Sequence, residues 1–166
     1  ILAADRWCDP DILHLHDWTT GLIPVYLRTG DRNGKILDRA RIVFTVHNLG
    51  YQGLFDPSCL GPLGIDPALF SWQGLEFWGQ LNFLKGGLLF SDLITTVSPI
   101  YAREIQQEDL GCGLEGILRE RSRRLVGILN GVDYREWNPE TDLHLARTFS
   151  ASSLLGKSHN KTEIRK

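Results

Sequence analysis

Short apolar runs alternate along this chain with longer segments whose apolar residues recur at helical spacing. The runs predict four strands, each bounded by turn-forming residues: Asp11–Leu15, Arg41–His47, Leu93–Val97 and Leu125–Leu129. The second run is almost continuously apolar, which is typical of a parallel strand that is covered on both faces.

Helices are predicted between these strands. The first follows His16-Asp17-Trp18, where Asp17 or Thr19 can act as the N-cap. Another begins at Ser98-Pro99, with Ser98 as the N-cap and Pro99 in the first helical position. Two more are indicated by apolar residues at helical spacing: Phe77, Leu81, Leu84 and Leu88, and then Leu114, Ile117 and Leu118.

The order of these elements predicts the fold class. Strands that alternate with helices indicate an α/β fold, here a Rossmann-like parallel sheet with flanking helices. Residues 49–76 form an irregular segment with five Gly and three Pro, and a loop of that length is usually functional. The pattern ends near residue 133. We expect a linker over residues 134–156 and a polar helix over 157–166 that has no partner element in the chain.

Composition narrows the function classes. The 166 residues include no Met and open on Ile1, so we expect a piece of a longer protein. A net charge of −2 gives no electrostatic case for binding nucleic acid or membranes, and no apolar run of 18 residues appears. Cys8, Cys59 and Cys112 are expected to be reduced, mostly buried thiols rather than a disulfide or metal framework.

Three polar clusters each follow a predicted strand: His16-Asp17-Trp18, His47-Asn48 and Asn130-Gly131. In a parallel sheet these clusters meet at the carboxyl edge, where open α/β sheets bind ligands. Asp17 can accept hydrogen bonds from sugar hydroxyls, Trp18 can stack on a pyranose face, and His47 and Asn48 can donate. Gly131 permits a turn with positive φ.

Each of these residues also has a plainer interpretation. Asp17 is a good helix N-cap, and Asn130-Gly131 is an ordinary turn dipeptide. His16 can cap the helix that follows or form hydrogen bonds within its own loop. His14 is expected to pack within the sheet. It is their joint placement after strands that favours a site.

Other polar motifs are better explained by structure. Lys85-Gly86-Gly87 resembles a phosphate-binding loop, but it lies inside a helical stripe and is expected to serve helix packing. The basic run that includes Arg119, Arg121, Arg123 and Arg124 is expected to be a solvated helix end. The HExxH, GxSxG and Walker A motifs are absent, so the classes that they define lack support.

Several motifs in order resemble the family of bacterial glycogen synthases and plant starch synthases. They are His14-Leu-His-Asp-Trp18, Phe44-Thr-Val-His-Asn-Leu-Gly-Tyr-Gln-Gly53, Gly74-Leu-Glu-Phe-Trp-Gly-Gln80, Phe83-Leu-Lys-Gly-Gly87, Thr96-Val-Ser-Pro99, Tyr101-Ala-Arg-Glu104 and Leu129-Asn-Gly-Val-Asp133, followed by Trp137 and Pro139-Glu-Thr-Asp142. The family's Lys-x-Gly-Gly-Leu loop and its C-terminal cations for the donor diphosphate are absent from the chain.

The resemblance implies part of the N-terminal domain of a two-domain GT-B glycosyltransferase. Residues 1–133 would form the partial acceptor-side catalytic domain, 134–156 the interdomain linker, and 157–166 the start of the second domain. The implied reaction is retaining transfer of glucose from ADP-glucose to an α-1,4-glucan, and the isolated chain is expected to be inactive. The implied partners are ADP-glucose, the glucan and the C-terminal domain, with no cofactor or metal, in the bacterial cytoplasm or a plastid.

By the same resemblance, His47 and Asn130 would be catalytic. The residues expected to bind substrate are Asp17, Trp18, Asn48, Tyr51, Gln52 and Gly131. Two alternatives stay open: another GT-B sugar-nucleotide glycosyltransferase, such as a sucrose synthase, which the block from Gly74 to Gly87 argues against, and a glucan-binding domain without catalysis.

Overall fold

A computed structural model describes residues 10–30 and 39–165 of the chain. Its contacts divide the chain into two compact units, with the boundary between Leu129 and Asn130. The strands are β1 (Ile12–His16), β2 (Arg41–Val46), β3 (Leu54–Phe55), β4 (Glu76–Phe77), β5 (Gln80–Asn82), β6 (Leu93–Thr96) and β7 (Leu125–Gly127). The helices are α1 (Leu22–Thr29), α2 (Leu60–Leu63), α3 (Phe83–Phe90), α4 (Pro99–Glu104), α5 (Glu108–Gly111), α6 (Glu115–Glu120) and α7 (Leu155–Ile164).

The first unit is built on a parallel sheet with strand order β1-β2-β6-β7. All three pairings in it are parallel, with Leu15 opposite Phe44 and Phe44 opposite Ile94. The predicted fold class, a Rossmann-like parallel sheet with flanking helices, is therefore confirmed. The four predicted strands also form, with ends that differ from the prediction by no more than two residues.

The centre of the sheet forms the core. Ile42, Phe44 and Val46 on β2 are fully buried, together with Leu84 and Leu88 on α3. A Cβ atom at Gly87 would lie 2.1 Å from the Phe44 ring, so this glycine lets α3 approach the sheet closely. The helix-packing interpretation of Lys85-Gly86-Gly87 is thus confirmed, and a phosphate loop is not formed there.

A small antiparallel sheet, with strand order β3-β5-β4, was not predicted. The expected helix through Phe77 and Leu81 is wrong, because these residues lie in β4 and β5 and α3 begins only at Phe83. Trp78 and Gly79 have φ of 52° and 79° and reverse the chain before a helix can start. Leu81 is fully buried in its strand. A buried position selects an apolar residue in a strand as it does in a helix, so the spacing of Leu81 from the apolar residues of α3 resembled a helical pattern.

Helix capping follows the prediction at α4 and departs from it at α1. The Ser98 hydroxyl accepts a hydrogen bond from the Tyr101 N–H at 2.8 Å, and Pro99 follows at the first helical position. In contrast, Gly21 precedes α1, and neither Asp17 nor Thr19 caps it with a side chain.

Two expectations about exposure are corrected. Arg121 is not solvated, because its guanidinium donates to the carbonyls of Leu88, Leu89 and Ser91 at the end of α3. Cys112 is exposed and Cys59 half-buried, both as free thiols, while Cys8 lies outside the described residues.

The second unit contains α7, which confirms the predicted polar helix and starts it at Leu155. This helix is bonded to the irregular segment that precedes it. Asn160 accepts a hydrogen bond from the Arg147 N–H at 2.9 Å and donates to the Arg147 carbonyl at 2.7 Å. Across residues 10–30 and 39–165, no helix combines the length and apolar character that a membrane crossing requires.

Candidate active site

Asp17 joins the ends of two neighbouring strands. It follows β1, and its carboxylate accepts a hydrogen bond from the backbone N–H of His47, just after β2, at 2.8 Å. The Asp17 N–H in turn donates to the Thr45 carbonyl at 2.9 Å. Asp17 has a φ of 55°, a costly conformation for a residue with a Cβ atom. The N-cap interpretation of Asp17 is therefore wrong, since its carboxylate crosses to the next strand instead.

Three histidines gather at this edge. His16 Nδ1 lies 3.1 Å from His47 Nε2. The centroids of the His14 and His16 rings are 4.2 Å apart. One nitrogen of the His16–His47 pair must donate and the other accept. If His16 donates, His47 Nε2 is unprotonated and its Nδ1 carries the proton, so this contact determines the hydrogen-bonding character of the His47 ring.

His14 connects this cluster to the interior of the sheet. Its Nε2 lies 2.6 Å from the hydroxyl of Thr45, which lies 2.6 Å from the hydroxyl of the buried Thr95. Burial, and then the positive charges that His16 and His47 can carry, lower the pKa of His14 below its ordinary 6.5. A neutral His14 is therefore favoured at neutral pH.

The loop after β2 carries the other predicted contacts. The Asn48 side-chain oxygen accepts the Gly50 N–H at 2.9 Å, which forms a tight turn, and Asn48 is exposed. Tyr51 is 68% exposed. The N–H of Leu49 donates to the Tyr101 hydroxyl at 3.0 Å, which anchors the loop on α4. Asn48 and Tyr51 are thus presented to solvent from an anchored loop.

Gln52 and Trp18 are occupied within the domain. The buried Gln52 amide donates to the Cys112 carbonyl at 2.9 Å and accepts from the Asn82 amide at 2.7 Å. A Cβ atom at Gly53 would lie 2.4 Å from the Trp18 ring, so the glycine backbone covers part of that ring. Phe55 packs on the same indole at 5.8 Å between ring centroids.

Asn130 and Gly131 open the second unit, and both are exposed. The described glycines with positive φ are Gly53, Gly64, Gly79 and Gly113, so the expected positive-φ turn at Gly131 is not formed. The structure brings together the clusters after β1 and β2, whereas the approach of Asn130 to them stays a prediction.

Sequence reasoning missed the residues that support this edge. Thr45 and Thr95 lie opposite each other on β2 and β6, and their hydroxyls are hydrogen-bonded. Polar threonines within otherwise apolar strands could have indicated such a pair from the sequence. No local pattern indicates the pairing of Gln52 with Asn82 and Cys112, which are distant in sequence. Among the described residues, no group of three or more His, Cys, Asp or Glu side chains is arranged to hold a metal ion.

A parallel α/β sheet with polar side chains converging beyond its carboxyl ends defines a Rossmann-like ligand-binding domain. Residues 1–120 match a family model described as the starch synthase catalytic domain. The chain belongs to that family, which confirms the resemblance seen in its motifs.

Individual relatives agree with this assignment. The glycogen synthase of Pseudothermotoga lettingae is 53% identical over 156 residues, which cover 94% of this chain and 32% of that protein. The glycogen synthase of Thermotoga maritima is 52% identical over 155 residues, with 93% and 32% covered. The chain thus spans about a third of the length of the relatives that it matches.

A solved structure has the same fold. The catalytic domain of starch synthase IV from Arabidopsis thaliana, bound to ADP and acarbose, matches with a TM-score of 0.75 and 39% identity. The match covers 99% of this chain and 34% of the other. It supports the assignment of the sheet to the N-terminal domain of a GT-B glycosyltransferase.

Proposed function

We propose that this chain forms part of the acceptor-side domain of a retaining glucosyltransferase, which extends an α-1,4-glucan from ADP-glucose as glycogen and starch synthases do. One observation carries the proposal: within a starch synthase family domain, the Asp17 carboxylate, His47 and His16 converge at the carboxyl edge of the parallel sheet. The ADP and acarbose bound to the starch synthase IV neighbour support a nucleotide-linked donor and a glucan acceptor.

His47 is the proposed contact to the transferred glucose. Its exposed ring follows β2 directly, its backbone is held by Asp17, and its Nε2 faces His16. A hydrogen bond from this ring to a sugar hydroxyl can hold the glucosyl unit as positive charge develops on it. His16 is the proposed positioning residue, because its contact at Nε2 determines whether the remaining nitrogen of His47 donates or accepts.

The other predicted site residues are proposed either to contact the sugar or to hold the loop after β2 in place. Asp17, Asn48 and Tyr51 are proposed to line the sugar pocket, since each lies at the strand end or on the loop after β2. Gln52 and Trp18 are proposed to hold this loop in place, because their polar groups or ring faces are already engaged.

Asn130 and Gly131 are proposed to lie by the reacting centre, as the resemblance implies. The domain assignment that accompanies this proposal is 1–133 for the acceptor-side domain, 134–156 for the linker and 157–166 for the start of the second domain. The cations that neutralise the departing diphosphate are proposed to come from that second domain, in an enzyme of the bacterial cytoplasm or a plastid.

Transfer of labelled glucose to a maltooligosaccharide tests this function in the full-length protein that carries this domain. We expect incorporation from ADP-glucose, retention of the α-configuration, and little or none when the isolated 166-residue chain is assayed. The family match favours this function over a sucrose synthase or a glucan-binding domain. Glucan binding without transfer by the full-length protein would instead support the glucan-binding alternative.

A further inference from the structure

Three arginines of the basic run line a cavity at the end of α3, here called the arginine cavity. It has a volume of about 460 Å³, within the roughly 300–1,000 Å³ of small-molecule sites. Its lining residues are Leu89, Ser91, Glu120, Arg121, Arg123 and Arg124. Three guanidinium groups and one carboxylate give this lining a net charge of +2. The size and the charge of the arginine cavity therefore suit a small anionic ligand.

The arginine cavity lies at the amino edge of the parallel sheet. Ser91 comes two residues before β6, and Arg124 directly precedes β7. Asp17 and His47 follow the carboxyl ends of β1 and β2, which pair in parallel with each other and with β6. Because the two ends of parallel strands lie at opposite edges of a sheet, the arginine cavity is separate from the candidate active site.

The side chains of Arg123 and Arg124 are free to bind a ligand. Both are exposed, and they end the 3-10 turn Ser122–Arg124, which joins α6 to β7. Across the described parts of the chain, neither guanidinium forms a hydrogen bond or an ion pair with another side chain. A guanidinium binds two oxygens of a phosphate group in a planar fork, and this pair offers two such forks.

Arg121 adds a third cation, in a fixed position. Its guanidinium is anchored on three backbone carbonyls at the end of α3, which uses three of its five N–H donors. Burial, and then the positive charge of Arg124, lower the pKa of Arg121, while Asp92 and Glu120 oppose this shift. Two like charges repel each other here, and an anion bound beside both would relieve that repulsion.

A buried hydroxyl in the lining of the arginine cavity has no partner. Ser91 is 5% exposed, and its Oγ forms no hydrogen bond within the described residues. Buried polar groups are nearly always hydrogen-bonded, because an unpaired one loses its hydration without compensation. A phosphate oxygen is a strong acceptor, so the Ser91 hydroxyl points to an anionic ligand independently of the arginines.

The carboxylate next to Ser91 already has its own partners. Asp92 accepts a hydrogen bond from the Arg28 guanidinium at 2.7 Å and from the Ile42 N–H at 2.7 Å, and Arg41 lies 3.4 Å away. Its charge is thus compensated by arginines outside the lining of the arginine cavity. The cations of the cavity are not needed to neutralise Asp92.

We propose that the arginine cavity binds a phosphate group, either as inorganic phosphate or as part of a small phosphorylated sugar. Arg123 and Arg124 bind its oxygens through their guanidinium forks, and Ser91 donates its hydroxyl. Arg121 supplies a further positive charge from its anchored position. This site does not depend on the proposed transfer of glucose, since it uses other residues at the opposite edge of the sheet.

Inorganic phosphate is the first probe, titrated into the full-length protein at constant ionic strength in a buffer free of phosphate. We expect a saturable rise in Tm, from which a Kd follows. Arg124→Gln should raise this Kd roughly tenfold, which corresponds to about 1.4 kcal/mol. Arg119→Gln is the matched control: it removes the same charge from the same basic run, but outside the cavity lining, and should change Kd by less than about twofold.

Two further variants should change the affinity in opposite directions. Ser91→Ala should weaken phosphate binding severalfold. Its Tm without phosphate should be unchanged or higher, because an unpaired buried hydroxyl is lost. Glu120→Gln should strengthen phosphate binding, because it removes the carboxylate from the lining. Side chains with a purely structural role would not change phosphate affinity in this pattern.

Glucose 1-phosphate, titrated in parallel, distinguishes the two sources of the phosphate group. The comparison counts only binding that is lost in Arg124→Gln, since a phosphorylated sugar can also bind elsewhere. Tighter binding than that of inorganic phosphate would assign the arginine cavity to a sugar phosphate, and equal binding would assign it to inorganic phosphate. Either result supports the proposal.

Wild-type phosphate affinity in both Arg124→Gln and Ser91→Ala would overturn the proposal, because phosphate would then bind at another place. An equal loss of affinity in Arg119→Gln would also overturn it, since that would indicate a diffuse effect of surface charge. The same holds if phosphate produces no saturable rise in the Tm of the wild-type protein.

Discussion

The carboxylate of Asp17 accepts the backbone N–H of His47 at 2.8 Å and so connects the ends of β1 and β2. Because the bond goes to the backbone, the His47 ring keeps both nitrogens for other partners. One of them faces His16 at 3.1 Å. The Asp17 carboxylate thereby fixes the position of the His47 backbone. The neighbouring His16 imidazole determines which nitrogen of the His47 ring donates a hydrogen bond and which accepts one.

Asp17→Asn and Asp17→Ala should have different effects on stability. Asparagine tolerates positive φ and retains an acceptor oxygen, whereas alanine loses the acceptor and keeps the backbone cost. We expect Asp17→Ala to lower the free energy of unfolding by about 1–2 kcal/mol and Asp17→Asn by less, as measured by chemical denaturation. Equal effects of the two variants would argue against the bond to His47 as the reason for Asp17.

Stability should depend on pH through His14. Its pKa is lowered below 6.5 in the folded state, so the unfolded chain takes up a proton more readily as the pH falls through this value. The free energy of unfolding should therefore decrease from pH 6.5 downwards, until folded His14 is itself protonated. His14→Gln should reduce this dependence in denaturation curves measured from pH 5 to 7.5, and an unchanged slope would contradict the role given to His14.

Arg121→Lys should destabilise the domain, although the charge is kept. The guanidinium donates to three carbonyls at the end of α3, and a lysine ammonium on a flexible stem cannot reproduce that planar fork. We expect a loss of about 1–3 kcal/mol in the free energy of unfolding. Arg123→Lys, at an exposed neighbour in the same basic run, is the matched control and should change stability by less than about 0.5 kcal/mol.

The parallel sheet and the meeting of Asp17 with His47 could be predicted because both follow from local patterns. Apolar runs indicate strands, and parallel strands bring their carboxyl ends to one edge. The roles of Arg121 and Gln52 could not, since each depends on carbonyl partners that are about 30 or more residues away. The hairpin at Trp78 was hidden because Leu81 is buried in a strand as it would be in a helix.

The turnover of His47→Ala, measured together with its Tm in the full-length protein, tests the central claim most directly. His47 is exposed at the end of β2, so its truncation should cost about 1 kcal/mol of stability or less. Loss of a contact to the reacting glucose should cost roughly 3 kcal/mol, or about a hundredfold in kcat. A large fall in kcat with a nearly unchanged Tm is the predicted result, and near-normal transfer from ADP-glucose by a stably folded His47→Ala protein would contradict it.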